Sequence, residues 1–222
     1  MKNKKIVFCL PGREYSGNFL CSFTELVMRL TSLGAEVRIS QQYSSMVNTA
    51  RCLVAGADVM RGEWQKPFNG LDYDYMMWID SDIRFTSDQF LQLYEMNKDI
   101  AAGWYAQPGA PNGNYFTPVV EKMDNKYFLS NGYFQFLRVK DFELKQNAFK
   151  ADYIGFGWVL IKQGVFEKLS YPWFAPRKLA ISGNISEMCS EDVAFCLDAR
   201  DAGFDLWVNP KVRVGHEKIM AI

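Results

Sequence analysis

A chain of 222 residues suits one large domain or two halves sharing a core, and its 49% hydrophobic and 15% aromatic content supports a sizeable core and gives no argument for disorder. Lysine plus arginine and aspartate plus glutamate both number 25, so no global field draws the chain to nucleic acid or to an anionic membrane. No apolar run reaches transmembrane length, and the first residues lead into a strand rather than a signal-peptide core.

Lys2, Lys4 and Lys5 form a short basic cluster that reads as a solvated terminus. The five cysteines, Cys9, Cys21, Cys52, Cys189 and Cys196, are odd in number and lack a Cys-x-x-Cys spacing. They read as reduced, small hydrophobes rather than zinc ligands or a disulfide framework, which points to a reducing compartment, the cytoplasm. Asn184-Ile185-Ser186 matches the N-glycosylation sequon, but a cytoplasmic chain does not meet that machinery.

Residues 5–10 read as a strand closed by Pro11-Gly12. Over 18–33 the apolar positions Leu20, Phe23, Val27 and Leu30 recur at helical spacing, and Gly34 stands where a helix end takes a left-handed residue. Residues 37–39 make a short second strand, and Met46, Ala50, Leu53 and Ala57 mark another helix. Residues 75–79 are continuously apolar, the pattern of a strand buried on both faces of a parallel sheet. Thr86 or Ser87 caps a helix reaching Met96, and residues 100–104 are a further strand. This βαβαβαβ order predicts a doubly wound, Rossmann-like half over residues 1–105.

The second half, residues 106–222, has a different pattern. Residues 107–114, rich in Pro, Gly and Asn, read as a loop. Residues 115–121, 126–130 and 133–139 read as short strands of a meander with Asp124-Asn125 at a turn. Residues 151–161 carry a strand interrupted by Gly155-Phe156-Gly157, and 171–184 read as a long loop. Ser190 caps a helix that runs to Ala202 and stops at Gly203, and 206–208 and 212–214 close as strands. With no internal repeat, the two halves read as a single α/β domain.

The chemistry concentrates at Asp80-Ser81-Asp82, directly after the buried strand. In open α/β sheets ligands bind beyond the carboxyl ends of the strands, so both carboxylates stand at the mouth of a site. Two hard oxygen donors there suit Mg²⁺ or Mn²⁺, which binds through one or two carboxylates plus substrate phosphates. His216, the only histidine, follows the last strand and is a third ligand if a metal joins the halves; a lone histidine is otherwise structural or exposed. Glu191 and Asp192 open a helix, where carboxylates complement the dipole. Asp192 is equally readable as a general base or an anchor for an acceptor hydroxyl. Asn48 and Arg51 lie three apart on one helical face, and Arg51 suits either bidentate phosphate contact or a surface ion pair. Gly155 and Gly157, before Trp158, mark a bulge or close approach of a ligand to the backbone, and Asp152 is placed to accept from sugar hydroxyls.

In order along the chain, several segments together resemble the GT-A glycosyltransferases. They are the strand ending in Pro11-Gly12, the Asn48-Thr49-Ala50-Arg51 helix, the Asp80-Ser81-Asp82 motif and Lys98-Asp99-Ile100-Ala101-Ala102-Gly103. Gly155-Phe156-Gly157, Glu191-Asp192-Val193-Ala194-Phe195-Cys196, Ala202-Gly203-Phe204 and Val214-Gly215-His216 complete the set. The compact size also resembles glycosyltransferase domains of large DNA viruses that glycosylate their own capsids, which would put the chain in the host cytoplasm. The resemblance implies a Rossmann-like nucleotide-sugar half fused to a smaller mixed-sheet acceptor half, with further domains allowed in a longer parent chain. It implies Mn²⁺ or Mg²⁺ held by Asp82, aided by Asp80 and completed by His216. Pro11, Gly12 and Arg13 would line the base pocket of a UDP-linked donor, with a GDP-linked one as the alternative, and Asn48, Arg51, Asp80 and Ser81 would lie beside it. Asp152, Gly155, Gly157, Trp158 and Glu191 would face the glycan or glycoprotein acceptor. Asp192 would deprotonate that acceptor in an inverting enzyme or bind substrate in a retaining one. Phosphatases of the haloacid-dehalogenase type also carry Asp-x-Asp, but after their first strand. Sugar nucleotidyltransferases open with a glycine-rich stretch that is absent after Leu10. A non-catalytic nucleotide- or glycan-binding module is the remaining alternative.

Overall fold

The computed structural model describes residues 1–108 and 115–218. The elements run in the order β1 (Lys5–Pro11), α1 (Gly17–Ser32), β2 (Glu36–Gln42), α2 (Val47–Val54), β3 (Tyr75–Ile79), β4 (Ile83–Arg84), α3 (Ser87–Glu95) and β5 (Ile100–Trp104). The second half adds β6 (Val119–Val120), α4 (Asn125–Asn131), α5 (Val139–Glu143), β7 (Phe149–Ala151), β8 (Tyr153–Ile154) and β9 (Trp158–Lys162). It closes with β10 (Arg177–Ser182), β11 (Ile185–Cys189), α6 (Glu191–Asp201), β12 (Leu206–Arg213) and β13 (Gly215–His216).

Seven strands form the central sheet in the order β2-β1-β3-β9-β5-β12-β7. β2, β1, β3, β5 and β12 run parallel, while β9 and β7 pair antiparallel with their neighbours. β9 therefore threads between β3 and β5 and ties the second half into the first. Along each central strand the side chains alternate between two apolar layers, which is why these strands read as unbroken hydrophobic runs. Ile6, Phe8, Met77, Ile79, Ala101 and Leu160 face α1 and α3, and Val7, Cys9, Met76, Trp78, Ala102 and Val159 face the other way. The second layer is filled by aromatic rings: Trp78 stacks on Phe166 at 5.9 Å and meets Phe156 and Phe174 edge-on at 5.6 and 5.2 Å.

The first half follows its sequence pattern closely. Ser16 Oγ accepts from the Phe19 amide to start α1, and Gly34 at φ +82 ends it. The buried stripe of α1 is Phe19, Leu26 and Leu30 with Phe23 partly covered, whereas Leu20, expected inside, is 63% exposed. Both stripes obey helical spacing, and the one with two phenylalanines wins by packing on Phe8 and Phe85.

In the second half three expectations are corrected. The middle of the expected meander is helical: Asp124 accepts from the Lys126 and Tyr127 amides as an N-cap, and α4 ends at left-handed Gly132. Only Val119–Val120 of the three expected strands forms, pairing with β8. The expected loop over 171–184 instead enters the antiparallel hairpin β10–β11. Residues 206–213 form one strand, not two. Most of the expected loop over 107–114 lies outside the described residues.

Trp78 has no exposed surface and sits at the centre of the aromatic layer. Trp78→Ala is expected to lower the unfolding free energy by about 3–5 kcal/mol, the usual loss for a buried large aromatic. Chemical denaturation measures it, and a loss below about 1 kcal/mol would contradict this packing.

Candidate active site

Three strand ends build the site. β1 ends at Pro11, β3 leads into Asp80-Ser81-Asp82, and β5 leads into Tyr105 and Ala106. Gly12 lies against the second of these: a Cβ there would come within 2.8 Å of Ser81 Cβ, so only glycine lets the two loops meet. The Asp80 amide donates to the Gly157 carbonyl at 3.2 Å, which fixes the motif against the start of β9.

β13 brings His216 to Asp82. It pairs antiparallel with β4, His216 opposite Ile83, so the imidazole returns beside the carboxylate from 134 residues away in sequence. His216 Nε2 lies 3.0 Å from Asp82 Oδ2, and Nδ1 lies 3.3 Å from the Ala106 carbonyl. The two contacts hold the imidazole between the Ala106 carbonyl and the Asp82 carboxylate, with Nε2 turned toward Asp82. Lys218 Nζ also reaches Asp82 Oδ2, at 2.7 Å. Burial would raise the Asp82 pKa, but hydrogen bonds from His216 and Lys218 outweigh it and bring it to about 2. Asp82 is therefore an anion at neutral pH.

Asp80 turns elsewhere. Arg51, on α2, is 4% exposed and lies between two carboxylates. Its Nη1 is 3.0 Å from Asp80 Oδ1, Nη2 donates to Asp80 Oδ2 at 3.1 Å, and Nε donates to Glu191 Oε1 at 3.2 Å. The guanidinium also lies 5.3 Å from the Phe156 ring. Burial opposes its charge, but the nearby Asp80, Glu191 and Asp192 carboxylates prevail and raise its pKa. For Glu191 burial and the Asp192 charge prevail over Arg51, and its pKa rises. Arg51, expected beside the nucleotide, forms here a buried link between the end of β3 and α6.

Asp192 follows Glu191 at the rim, half-buried. Its Oδ2 accepts from the Tyr153 hydroxyl at 2.9 Å, and its Oδ1 accepts from the Ser190 hydroxyl and, at 2.9 Å, from the Val193 amide. Tyr153 and Tyr105 are buried, and burial foremost, then carboxylate charge, pushes both phenols well above their ordinary pKa. Both stay neutral hydroxyl donors. Tyr105, whose ring centroid is 4.9 Å from that of His216, feels both Asp80 and Asp192. Neither tyrosine was legible as a site residue; the position of Tyr105, one residue past a strand's carboxyl end, was the available signal.

The remaining candidates divide. A Cβ on Gly155 or Gly157 would come within 2.7 Å of Tyr105, so this segment's glycines make room for a side chain. Trp158 is fully buried against Phe85, 4.6 Å between centroids, and presents no face to a sugar. Asp152 is engaged away from the cluster, accepting from the Met123 amide at 2.8 Å and pairing with Arg200 at 2.8 Å. Arg13 is exposed, 6.0 Å from the Tyr43 ring. Asn48 lines a separate cavity of about 410 Å³ between α2 and residues 171–176.

Asp82 and His216 offer one hard carboxylate and one imidazole, a donor set that fits Mn²⁺, with the Lys218 ammonium already marking a cation position at Asp82. Among the described residues, no group of three His, Cys, Asp or Glu side chains is gathered as a metal cluster. The expected trio of Asp80, Asp82 and His216 is thus a pair, because Arg51 holds Asp80 back. Removing Arg51 strands a buried Glu191 carboxylate, so Arg51→Met is expected to lose about 3–5 kcal/mol of stability. Denaturant unfolding tests it, and a near-neutral result would mean the pair is dispensable to the fold.

The sequence matches no known family model and has no significant match among the curated proteins. In structure the chain is similar to A197 from STIV, with a TM-score of 0.51 and 15% identity over 98% of this chain and 97% of that one. A weaker likeness, TM-score 0.46 at 14% identity, covers 96% of this chain and 37% of GalNAc-T7 solved with UDP, GalNAc and Mn²⁺. Another, 0.43 at 15%, covers 97% of this chain and 66% of the catalytic domain of Drosophila β1,4-galactosyltransferase 7 with xylobiose. No helix among the described residues is long and apolar enough to cross a membrane. The likeness to A197 concerns the fold alone, a mixed α/β architecture around a seven-stranded, mostly parallel sheet.

Proposed function

We propose that this chain is a divalent-metal-dependent glycosyltransferase that moves a sugar from a UDP-linked donor to a glycan or glycoprotein acceptor. The observation that supports it is the meeting of Asp82 and His216 at 3.0 Å, beside Asp80 and on the site face that also carries Asp192. A structural ion pair alone gives no reason for a second carboxylate, Asp192, held by three donors at the same mouth.

Asp82 and His216 would hold Mn²⁺, and the bound ion would act as a Lewis acid toward the departing diphosphate. Gly12 and Ser81 would shape the floor on which the nucleotide lies, with Pro11 and Arg13 at its edge. Asp192 would accept the proton of the attacking acceptor hydroxyl, or orient that hydroxyl, while Tyr153 fixes the carboxylate in place. Buried Arg51 would hold Asp80 toward α6 and leave Asp82 and His216 to the metal. The cytoplasm is the compartment that fits reduced cysteines, four of them buried.

Calorimetry with sugar nucleotides in the presence of Mn²⁺ tests the donor. A UDP-sugar is expected to bind best, and equal millimolar responses to every nucleotide would remove the reading. Asp82→Asn is expected to abolish metal-dependent donor binding with the fold intact, and His216→Ala to weaken metal affinity by about 10- to 100-fold. Normal Mn²⁺ and nucleotide binding by either variant would refute the ligand assignment.

Asp192→Asn separates binding from turnover. Donor affinity is expected to stay within about threefold while transfer falls roughly 10²- to 10⁴-fold, the contribution of a general base. A carboxylate serving only the helix dipole would instead cost about 0.3–1 kcal/mol of stability and leave transfer intact. Melting temperature and transfer rate on one preparation distinguish them.

A further inference from the structure

A second cavity, of about 380 Å³, opens beyond the carboxyl end of β5 and is lined by Ala106, Tyr115, Arg138, Val139, Lys140 and Arg213. Its volume lies in the range of small-molecule sites. Of its six described lining residues three are cationic and none is acidic, in a chain whose charges balance at 25 and 25. Among the described residues, none of the three cations makes a salt bridge with a carboxylate. Surface arginines and lysines elsewhere in the chain do pair, as Arg38, Arg177, Lys145 and Lys150 show.

The cations come from two separate segments. Arg138 and Lys140 flank the start of α5, and the Arg138 backbone is bridged to Phe116, next to Tyr115. Arg213 ends β12, in register with Trp104, and its guanidinium lies 5.2 Å from the Trp104 ring. That stacking sets the direction of one planar donor fork and lowers the entropy lost when it binds a carboxylate or phosphate. The cavity also adjoins the candidate active site through Ala106, which lines it and whose carbonyl lies 3.3 Å from His216 Nδ1.

We infer that this cavity is an anion subsite, and that it receives a carboxylate, sulfate or phosphate carried by the acceptor. The assignment to an acceptor rests on the transferase reading; the anion site itself does not. Tyr115 offers a ring to the sugar that bears the charge, and the cations read the charge itself. A neutral acceptor would leave three unpaired cations facing its hydroxyls. An acidic one pairs them beside Ala106, whose carbonyl meets His216.

Glucuronate and glucose make a matched probe pair, differing only in the carboxylate, and inorganic sulfate probes the anion alone. Ligand-observed NMR on the intact chain is expected to give glucuronate roughly tenfold tighter binding than glucose, the effect of one charge-assisted hydrogen bond. Sulfate is expected to compete, and added NaCl to erase the difference. In R138Q/K140Q the preference is expected to vanish and in R213K to weaken, with melting temperatures showing both variants folded. Equal binding of glucuronate and glucose, or a preference that survives R138Q/K140Q, would overturn the anion site. UDP titration in the presence of Mn²⁺ separates the sources. Unchanged UDP affinity in R138Q/K140Q supports the acceptor assignment, and a tenfold loss would overturn it by giving the cations to the donor phosphates. Glucuronate binding by a protein that binds no nucleotide would keep the anion site and overturn the acceptor assignment together with the transferase reading.

Discussion

A guanidinium buried in an apolar core must be matched by carboxylates, and Arg51 imposes that requirement on this fold. Its partners come from both halves: Asp80 after β3 and Glu191 at the start of α6. The aromatic ring of Phe156, in the turn before β9, lies against the cation from below. One side chain on α2 therefore determines where three segments, distant in sequence, can sit. Removing Arg51 leaves Asp80 and Glu191 without their cation, so the geometry of this side of the cleft depends on one buried side chain.

From this anchor the two sides of the cleft take different characters. On one side Asp80 is committed to Arg51, and Asp82 is left to His216 and Lys218, a carboxylate that stays ionised. On the other side Glu191 is consumed by Arg51, and Asp192 stands at the rim with its oxygens held by a tyrosine, a serine and a backbone amide. Adjacent carboxylates in each pair thus divide into one that supports and one that faces the cleft. Tyr105 lies between the sides, buried, neutral and close to both, in space that Gly155 and Gly157 leave for it. The glycines matter for the site through this clearance.

The antiparallel β9 explains why the two halves cannot be separated. It pairs with β3 and β5 on its two edges, so the strands that carry Asp80 and Tyr105 are hydrogen-bonded through a segment of the second half. The β4–β13 ladder repeats the device at a smaller scale and brings His216 to Asp82. Neither pairing has a local signature, because an antiparallel strand inside a mostly parallel sheet is as apolar as its neighbours.

The sequence by itself determined the elements whose causes are local. Continuous apolarity defined β3 and β5, Gly34 and Gly203 ended α1 and α6, and Asp-x-Asp after a buried strand marked the candidate site, since strand ends in such sheets are where ligands lie. Tertiary structure decided everything that depends on which face meets which. It chose Phe19 over Leu20 for the buried side of α1, and it turned Arg51 inward on a helix whose apolar spacing had favoured Leu53, now 39% exposed. It made Asp124 a helix cap where a turn reads equally well, folded residues 177–189 into a hairpin, and sent Asp152 to Arg200. Periodicity and capping act over a few residues and are written in the chain. The pairing of a buried charge, the clearance around a tyrosine and the approach of an imidazole to a carboxylate 134 residues away are set only when the sheet closes.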